Sequence, residues 1–173
     1  MDYREHLLRP LSKRFVDHLV AEIFANPTDF DLVYQLVFDK DMNVAWRAAW
    51  ACQKISDKHP EWFNDNHFAE LASLSISTSH GGLQRGCLSV LNNLPMPASI
   101  SVELINTCFE WMVSSKSSIA TQALSMKLLL KICTVEPDFK AELKAYLENV
   151  DYYNYSAGFN STRRNVLKAL NHT

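Results

Sequence analysis

The sequence predicts an all-α protein built as a short α-solenoid of stacked helical hairpins. Only four of its 173 residues are glycine, whereas hairpin-rich β folds need glycine at turn positions with positive φ. No long segment alternates apolar and polar residues with period two, as half-buried strands do. Apolar residues recur at helical spacing instead, and that pattern itself repeats along the chain.

Length and charge restrict the class of protein further. A single domain of this size buries about 70% of its unfolded surface. Seventeen basic and nineteen acidic residues give a formal charge of −2, which argues against nucleic acid as the main partner. No apolar run approaches the roughly 20 residues of a membrane span, and the charged N-terminus lacks the apolar stretch of a signal peptide. We expect a cytoplasmic protein that does not bind membranes.

No cofactor, metal site or catalytic motif is expected. Zinc sites usually need ligand pairs about two to four residues apart, but Cys52, Cys87, Cys108 and Cys133 are widely separated within apolar stretches. We interpret them as buried, reduced thiols. Residues 79–82, SHGG, are similar to the oxyanion loop of some esterases. Those enzymes also need a G-x-S-x-G nucleophile turn, which is missing, so we predict a protein that is not an enzyme.

About nine helices are predicted, the first of them after Ser12 as N-cap. Two series alternate: residues 29–38, 62–75, 99–113 and 138–149 in one, and 43–57, 82–94, 118–133 and 161–171 in the other. We expect a single domain with an N-terminal cap over residues 1–27, helical repeats over 28–150 and a C-terminal capping helix within 151–173.

The second series repeats its apolar pattern about every 38 residues. Helix 43–57 has one apolar face, made of Val44, Ala48, Ala51, Cys52 and Ile55. A shift of 39 residues gives Leu83, Cys87, Val90, Leu91 and Leu94, and a shift of 75 gives Ile119, Ala123, Met126 and Leu130. The register slips in this last helix, where Cys52 is matched by Lys127. A period near 38 residues, built from two helices, is typical of an α-solenoid.

Two stretches carry a family resemblance. DKDMNVAWRAAWACQKI resembles the turn and second helix of a HEAT repeat. ALSMKLLLKICTVEPDFKAELKAYL, followed by SAGFNSTRRNVLKAL, is similar to the C-terminal half of a family of small HEAT-like proteins from Bacteroidota. The second repeat departs from the pattern because it lacks a proline matching Pro60. The resemblance implies an α-solenoid of HEAT/armadillo-like helical hairpins. It implies no activity.

The other face of helix 43–57 provides the candidate binding site. Trp46 and Trp50 lie one turn apart, in the sector that should line the concave surface of a solenoid. Tryptophan and arginine are enriched at binding hot spots. The predicted partner-binding residues are Trp46, Arg47, Trp50, Lys54, Arg85, Ser89 and Asn92. The same sector continues to Thr121 and Ser125. The alternative is that both tryptophans pack beneath the N-terminal helix.

Three functions remain open at this level. The first is a non-enzymatic module that binds a protein or peptide, with Arg47, Lys54 and Arg85 pairing with acidic groups. The second is a DNA-binding protein similar to alkylpurine DNA glycosylases, which also use HEAT-like repeats. Net acidity and the lack of a carboxylate among the concave positions argue against it. The third is a structural accessory fold without a ligand.

Five basic residues near the C-terminus are interpreted as a solvated face: Lys127, Lys131, Arg163, Arg164 and Lys168.

Overall fold

A computed structural model describes residues 1–10 and 12–172 of the chain. Over these residues the protein contains ten α-helices, four short 3-10 turns and no strand, which confirms the all-α prediction. The helices are α1 (Tyr3–Leu8), α2 (Lys13–Ala25), α3 (Phe30–Gln35), α4 (Met42–Lys58), α5 (Asp65–Ser77), α6 (Gly81–Asn93), α7 (Val102–Val113), α8 (Ile119–Ile132), α9 (Phe139–Asn149) and α10 (Ala157–Asn171). None of these helices is long and apolar enough to cross a membrane.

Polar caps set the helix starts, and several starts differ from the prediction: α5 begins at Asp65 rather than at 62, and α7 begins at Val102 rather than at 99. Ser12 is the N-cap of α2, as expected, and its hydroxyl accepts a hydrogen bond from the amide of Phe15 at 3.2 Å. The helix α1 before it was not predicted, because six residues are too few to show a helical period. The last helix begins at Ala157 rather than near residue 161, because Ser156 caps it by accepting from the Phe159 amide at 3.1 Å.

The helices form two rows. The even-numbered helices pack in sequence, α2 on α4, α4 on α6, α6 on α8 and α8 on α10, and they make the inner row. The outer row consists of the odd-numbered helices, and from α3 onward each packs on the inner helix that follows it. At the N-terminus, α1 is joined to α2 by the stacked rings of His6 and Phe15, whose centroids are 3.8 Å apart.

The predicted apolar faces form the core of the inner row. All five predicted residues of α4 have no exposed surface, and the five of α6 are at most 2% exposed. In α8 the prediction holds for Met126, which is fully buried, but is wrong for Ile119, which is 54% exposed. Ala123 and Leu130 are half-buried. The error falls in the helix where the repeat register slips.

Buried cysteines confirm the interpretation drawn from their spacing. All four thiols are free and buried. Burial raises the pKa of Cys87 and of Cys108 to about 12, because a thiolate loses hydration in an apolar interior. These thiols therefore stay protonated at neutral pH.

Helices α4 and α6 approach each other closely at Gly86, which is buried. A Cβ atom added at Gly86 would lie 2.8 Å from the Cβ of Ala49 and 3.4 Å from its carbonyl carbon. Neither of these atoms can rotate away, so any larger residue at position 86 must push the two helices apart.

We predict that Gly86→Ala destabilises the protein, although alanine favours helix formation. Overpacking a core contact costs about 1–3 kcal/mol, which exceeds the roughly 1 kcal/mol gained in helix propensity. Urea denaturation of the variant measures the net loss. Gly81→Ala is the matched control, because a Cβ there meets no atom within 4 Å. A Gly86→Ala variant at least as stable as Gly81→Ala would contradict this packing.

Candidate functional site

An open groove with a volume of about 770 Å³ runs along the inner row of helices. We call it the inner groove. Apolar and charged residues of α2 and α8 line its two sides, and residues of α4 and α6 form the floor between them. The lining residues are Asp17, Val20, Phe24, Gln53, Lys54, Asp57, Lys58, Ser89, Asn92, Asn93, Leu124, Lys127, Leu130 and Lys131. Four consecutive inner helices thus share one surface.

A second cavity, the tryptophan pocket, lies between the N-terminal halves of α4 and α6 and has a volume of about 400 Å³. It is lined by Trp46, Trp50, Gln53, Gly82, Arg85 and Gly86. Gln53 lines the inner groove as well, so the two cavities adjoin. Together they form a continuous surface that is aromatic at one end and polar at the other.

Both tryptophan rings are half-buried against the core. Their planes are nearly parallel, at 8°, and their centroids are 6.3 Å apart. The ring of Trp46 also lies 6.2 Å from that of His80. The described ring contacts of Trp46 are therefore made along α4 and to the start of α6, and not to the N-terminal helices.

His80 belongs to this site but was not singled out by the sequence, because its motif was considered only as an esterase-like loop. It is the N-cap of α6, and its Nδ1 accepts a hydrogen bond from the Leu83 amide at 3.1 Å. The same ring lies beside Trp46. One residue thus fixes the start of α6 and completes the aromatic end of the surface.

Arg47 holds the N-terminal helix in place. Its Nη1 donates to the carbonyl oxygens of Leu7 at 2.6 Å and of Arg9 at 3.0 Å, at the C-terminal end of α1. Its guanidinium carbon lies 5.7 Å from the centroid of the Trp46 ring. Arg47 therefore connects α1 to the edge of the tryptophan pocket, and its hydrogen bonds are made within the chain.

The other predicted residues of the site divide between the two cavities. Arg85 is exposed in the tryptophan pocket, whereas Lys54, Ser89 and Asn92 line the inner groove. The amide of Asn92 donates to the carbonyl oxygens of Leu88 at 2.9 Å and of Leu124 at 3.1 Å, which links α6 to α8. Asn92 thus contributes to the groove and to the packing of the inner row.

Thr121 and Ser125 do not line the concave surface, and that prediction is wrong. They are 2% and 0% exposed. The hydroxyl of Thr121 donates to Oε1 of Gln84 at 3.2 Å, across the contact between α6 and α8. Leu124 and Lys127 line the groove instead, because α8 is rotated relative to the position that a regular repeat predicts.

The basic residues near the C-terminus do not form one solvated face. Lys127 and Lys131 line the inner groove. Arg163 donates to the carbonyl oxygen of Leu147 at 2.5 Å and lies over the ring of Tyr152 at 4.6 Å. Burial lowers the pKa of Lys131, because the ammonium loses hydration there.

The groove also contains two carboxylates that the sequence did not place there. Asp17 lies 2.9 Å from Nζ of Lys54, and Asp57 lies 3.1 Å from Nζ of Lys58. Asp17 and Val20 stand three residues apart on α2, a helical spacing that marks the side of α2 facing the groove. That signal is visible in the sequence once α2 is recognised as part of the inner row.

These features define a class of protein, a helical-repeat solenoid whose inner row presents an extended surface. Within this class the chain belongs to the HEAT repeat family, since the model for the HEAT repeat domain matches residues 3–170. The narrower resemblance to small Bacteroidota proteins stays a prediction.

Two solved structures resemble this fold, while a comparison with curated proteins finds no significant match. The crystal structure of an engineered protein aligns with a TM-score of 0.68 and 14% identity, over 98% of this chain and 78% of that one. A designed armadillo repeat protein aligns with a TM-score of 0.45 and 10% identity, over 97% of this chain and 98% of that one. The first likeness supports the solenoid fold and carries no information about function.

We predict that Arg47→Ala weakens the docking of α1. The substitution removes a charged donor from two carbonyl groups, and hydrogen bonds to charged groups contribute about 1.5–3 kcal/mol each. Chemical denaturation should show a lower free energy of unfolding, and amides of α1 should exchange their hydrogens faster. Arg85→Ala is the control, because exposed side chains of this kind usually change stability by about 0.5 kcal/mol or less. Equal losses in the two variants would contradict the role assigned to Arg47.

Proposed function

We propose that this protein is a non-enzymatic interaction module that binds a segment of a protein partner on its inner surface. The observation that carries the proposal is the tryptophan pocket, where two parallel, half-buried rings adjoin an open polar groove. Aromatic side chains with one packed and one open side anchor many protein interfaces, because they bury a large apolar area at low entropic cost.

The shape of the surface favours a chain over a small molecule. Small-molecule sites usually enclose about 70–90% of the ligand surface, whereas the inner groove is open and spans four helices. HEAT-type solenoids stack their repeats into extended concave surfaces of this kind. A peptide segment can follow such a surface and make contacts at several points.

Each predicted residue has a distinct role in this proposal. Trp46 and Trp50 provide the apolar anchor site, and Arg85 provides an exposed cation at its edge. Lys54 supplies a cation along the groove. Asn92 supplies its amide oxygen there, and Ser89 lies in the groove lining at 9% exposure. Arg47 positions α1 and the ring of Trp46, and we assign it no direct contact with the partner.

The two alternative functions, DNA binding and an accessory fold without a ligand, would require different properties of the inner surface. A DNA-binding protein would need the groove to attract phosphates, and both groove carboxylates work against this even though each is paired with a lysine. An accessory fold without a ligand would give no reason for two large aromatic rings to line an open pocket. A protein partner is consistent with both the rings and the paired charges.

Site-specific photocrosslinking in the cells that produce the chain tests the proposal. A benzophenone amino acid in place of Arg85 should give a discrete crosslinked protein. The same group in place of Val102, which is 67% exposed on the outer helix α7, should not. Equal crosslinking at both positions would mean that the inner surface has no special role.

Truncating both tryptophans, Trp46→Ala with Trp50→Ala, should remove that crosslink while the helical circular dichroism spectrum is kept. We expect a stability loss below the roughly 3–5 kcal/mol per ring that fully buried aromatics cost. Trp111→Ala removes a half-buried ring from the outer row and serves as the control. A crosslink that survives the double substitution, or that Trp111→Ala also removes, would reject the tryptophan pocket as the anchor.

A further inference from the structure

We infer that the inner groove recognises negative charge, so that the partner segment is acidic beside a neutral apolar anchor. The inference rests on the proposed function, because it specifies which kind of segment the inner surface binds. It follows from how the charges of the groove are distributed and from which of them are already engaged within the chain.

The groove is more basic than the protein as a whole. Four lysines and two aspartates line it, although the chain has a formal charge of −2. Arg85 adds a further cation in the adjoining tryptophan pocket. Since the remaining surface must then be more acidic than average, a negatively charged segment is attracted to the groove and repelled elsewhere.

Lys131 is not among the groups that would bind a partner. Its Nζ lies 2.6 Å from the carbonyl oxygen of Asn92 and 2.6 Å from that of Leu94, at the C-terminal end of α6. The lysine therefore satisfies backbone groups that the helix end leaves without partners. Its positive charge complements the helix dipole and serves the fold.

Two other lysines are paired with carboxylates of the chain itself. Lys54 pairs with Asp17 on α2, and Lys58 pairs with its neighbour Asp57. The Lys58 pair is largely exposed, and in the other pair Lys54 is 28% and Asp17 46% exposed. Pairs that are open to solvent contribute little to stability. A carboxylate of the partner can therefore replace Asp17 at Lys54 at small cost. Asp17 acts as an internal competitor for the acidic segment.

Lys127 is the lysine best placed to make the first contact. It is exposed, and within residues 1–10 and 12–172 no hydrogen bond or ion pair engages its ammonium group. It lies between the apolar side chains of Leu124 and Leu130 in the lining of the groove. The structure thus provides a cation without an internal partner, next to apolar surface.

The tryptophan pocket selects against a cationic anchor. Aromatic faces attract cations, but Arg47 already lies 5.7 Å from the Trp46 ring, and Arg85 lines the same pocket. A second cation would be repelled by both arginines, which is how interfaces exclude unsuitable partners. A neutral aromatic or aliphatic side chain with acidic neighbours meets no such repulsion.

Helix geometry sets the spacing between the apolar anchor and the acidic residue of the bound segment. Neighbouring helices lie about 8–10 Å apart, and α4 and α8 are separated by α6. Along α4 the pocket and the groove are offset by roughly 10 Å, at 1.5 Å per residue. An extended chain covers about 3.3 Å per residue. The anchor and the acidic residue over Lys127 should therefore be about six to eight residues apart.

Selection from a random 12-residue peptide display library against the full chain tests the inference. We expect selected peptides to carry an apolar side chain and, about six to eight residues away, Asp or Glu. Lys127→Glu should weaken the binding of a selected peptide about five- to tenfold, because one attraction becomes a repulsion. Asp17→Asn should strengthen it about two- to threefold by releasing Lys54. Lys116→Glu, an equal charge change in an exposed turn outside the groove, should have no effect.

The possible failures can be told apart. Peptides that need Trp46 and Trp50 but are neutral or basic, or that ignore Lys127→Glu, would overturn this inference and leave the proposed function standing. Peptides that bind independently of both tryptophans would overturn the two together. Tight binding of an oligonucleotide that Lys127→Glu abolishes, with no acidic peptide selected, would also overturn both and would indicate nucleic acid as the partner.

Discussion

The close contact between α4 and α6 is the constraint on which the rest of the surface depends. Ala49 and Gly86 meet where any larger side chain would clash, so the two helices can approach closely only with small residues there. The approach brings the start of α6, with Gly82 and Arg85, up to the two tryptophans of α4. If α6 moved outward, the aromatic rings would lose one wall of their pocket. Packing in the core and geometry at the surface are thus set by the same two residues.

Hydrogen bonds between the inner helices fix the distance between neighbouring helices more tightly than apolar packing alone. Asn93 donates to the Gln53 carbonyl at 3.3 Å and to Oγ of Ser56 at 3.0 Å, which joins α6 to α4. Asn92 and Lys131 join α6 to α8. Each of these bonds lies in or beside the groove, where an unpaired carbonyl or amide would otherwise be costly. The floor of the groove is therefore held in one arrangement before any partner arrives, and preorganisation of this kind favours binding.

The sequence was sufficient to predict the fold class and the buried faces of α4 and α6, because the apolar core residues of both helices recur at helical spacing on one side. It was insufficient for α8, which is apolar around most of its circumference and so has no single face to read. In the observed rotation of α8, Thr121 bonds to Gln84 of α6, and a pairing across 37 residues has no local signature. The same limit applies to Asp17. Its place in the groove follows only once α2 is known to pack on α4.

Some of the lysines that line the inner groove serve the fold, and their role differs from binding a partner. The groove lies toward the C-terminal ends of α4, α6 and α8, where the helix dipoles favour cations. The ammonium group of Lys131 donates directly to two carbonyl oxygens at the C-terminal end of α6. Lys54 and Lys58 are balanced by aspartates. Lys127 stands more than a turn before the end of α8 and contacts no carbonyl group among the described hydrogen bonds. The helix dipole therefore does not account for its charge, and we assign Lys127 to the inferred contact with an acidic segment.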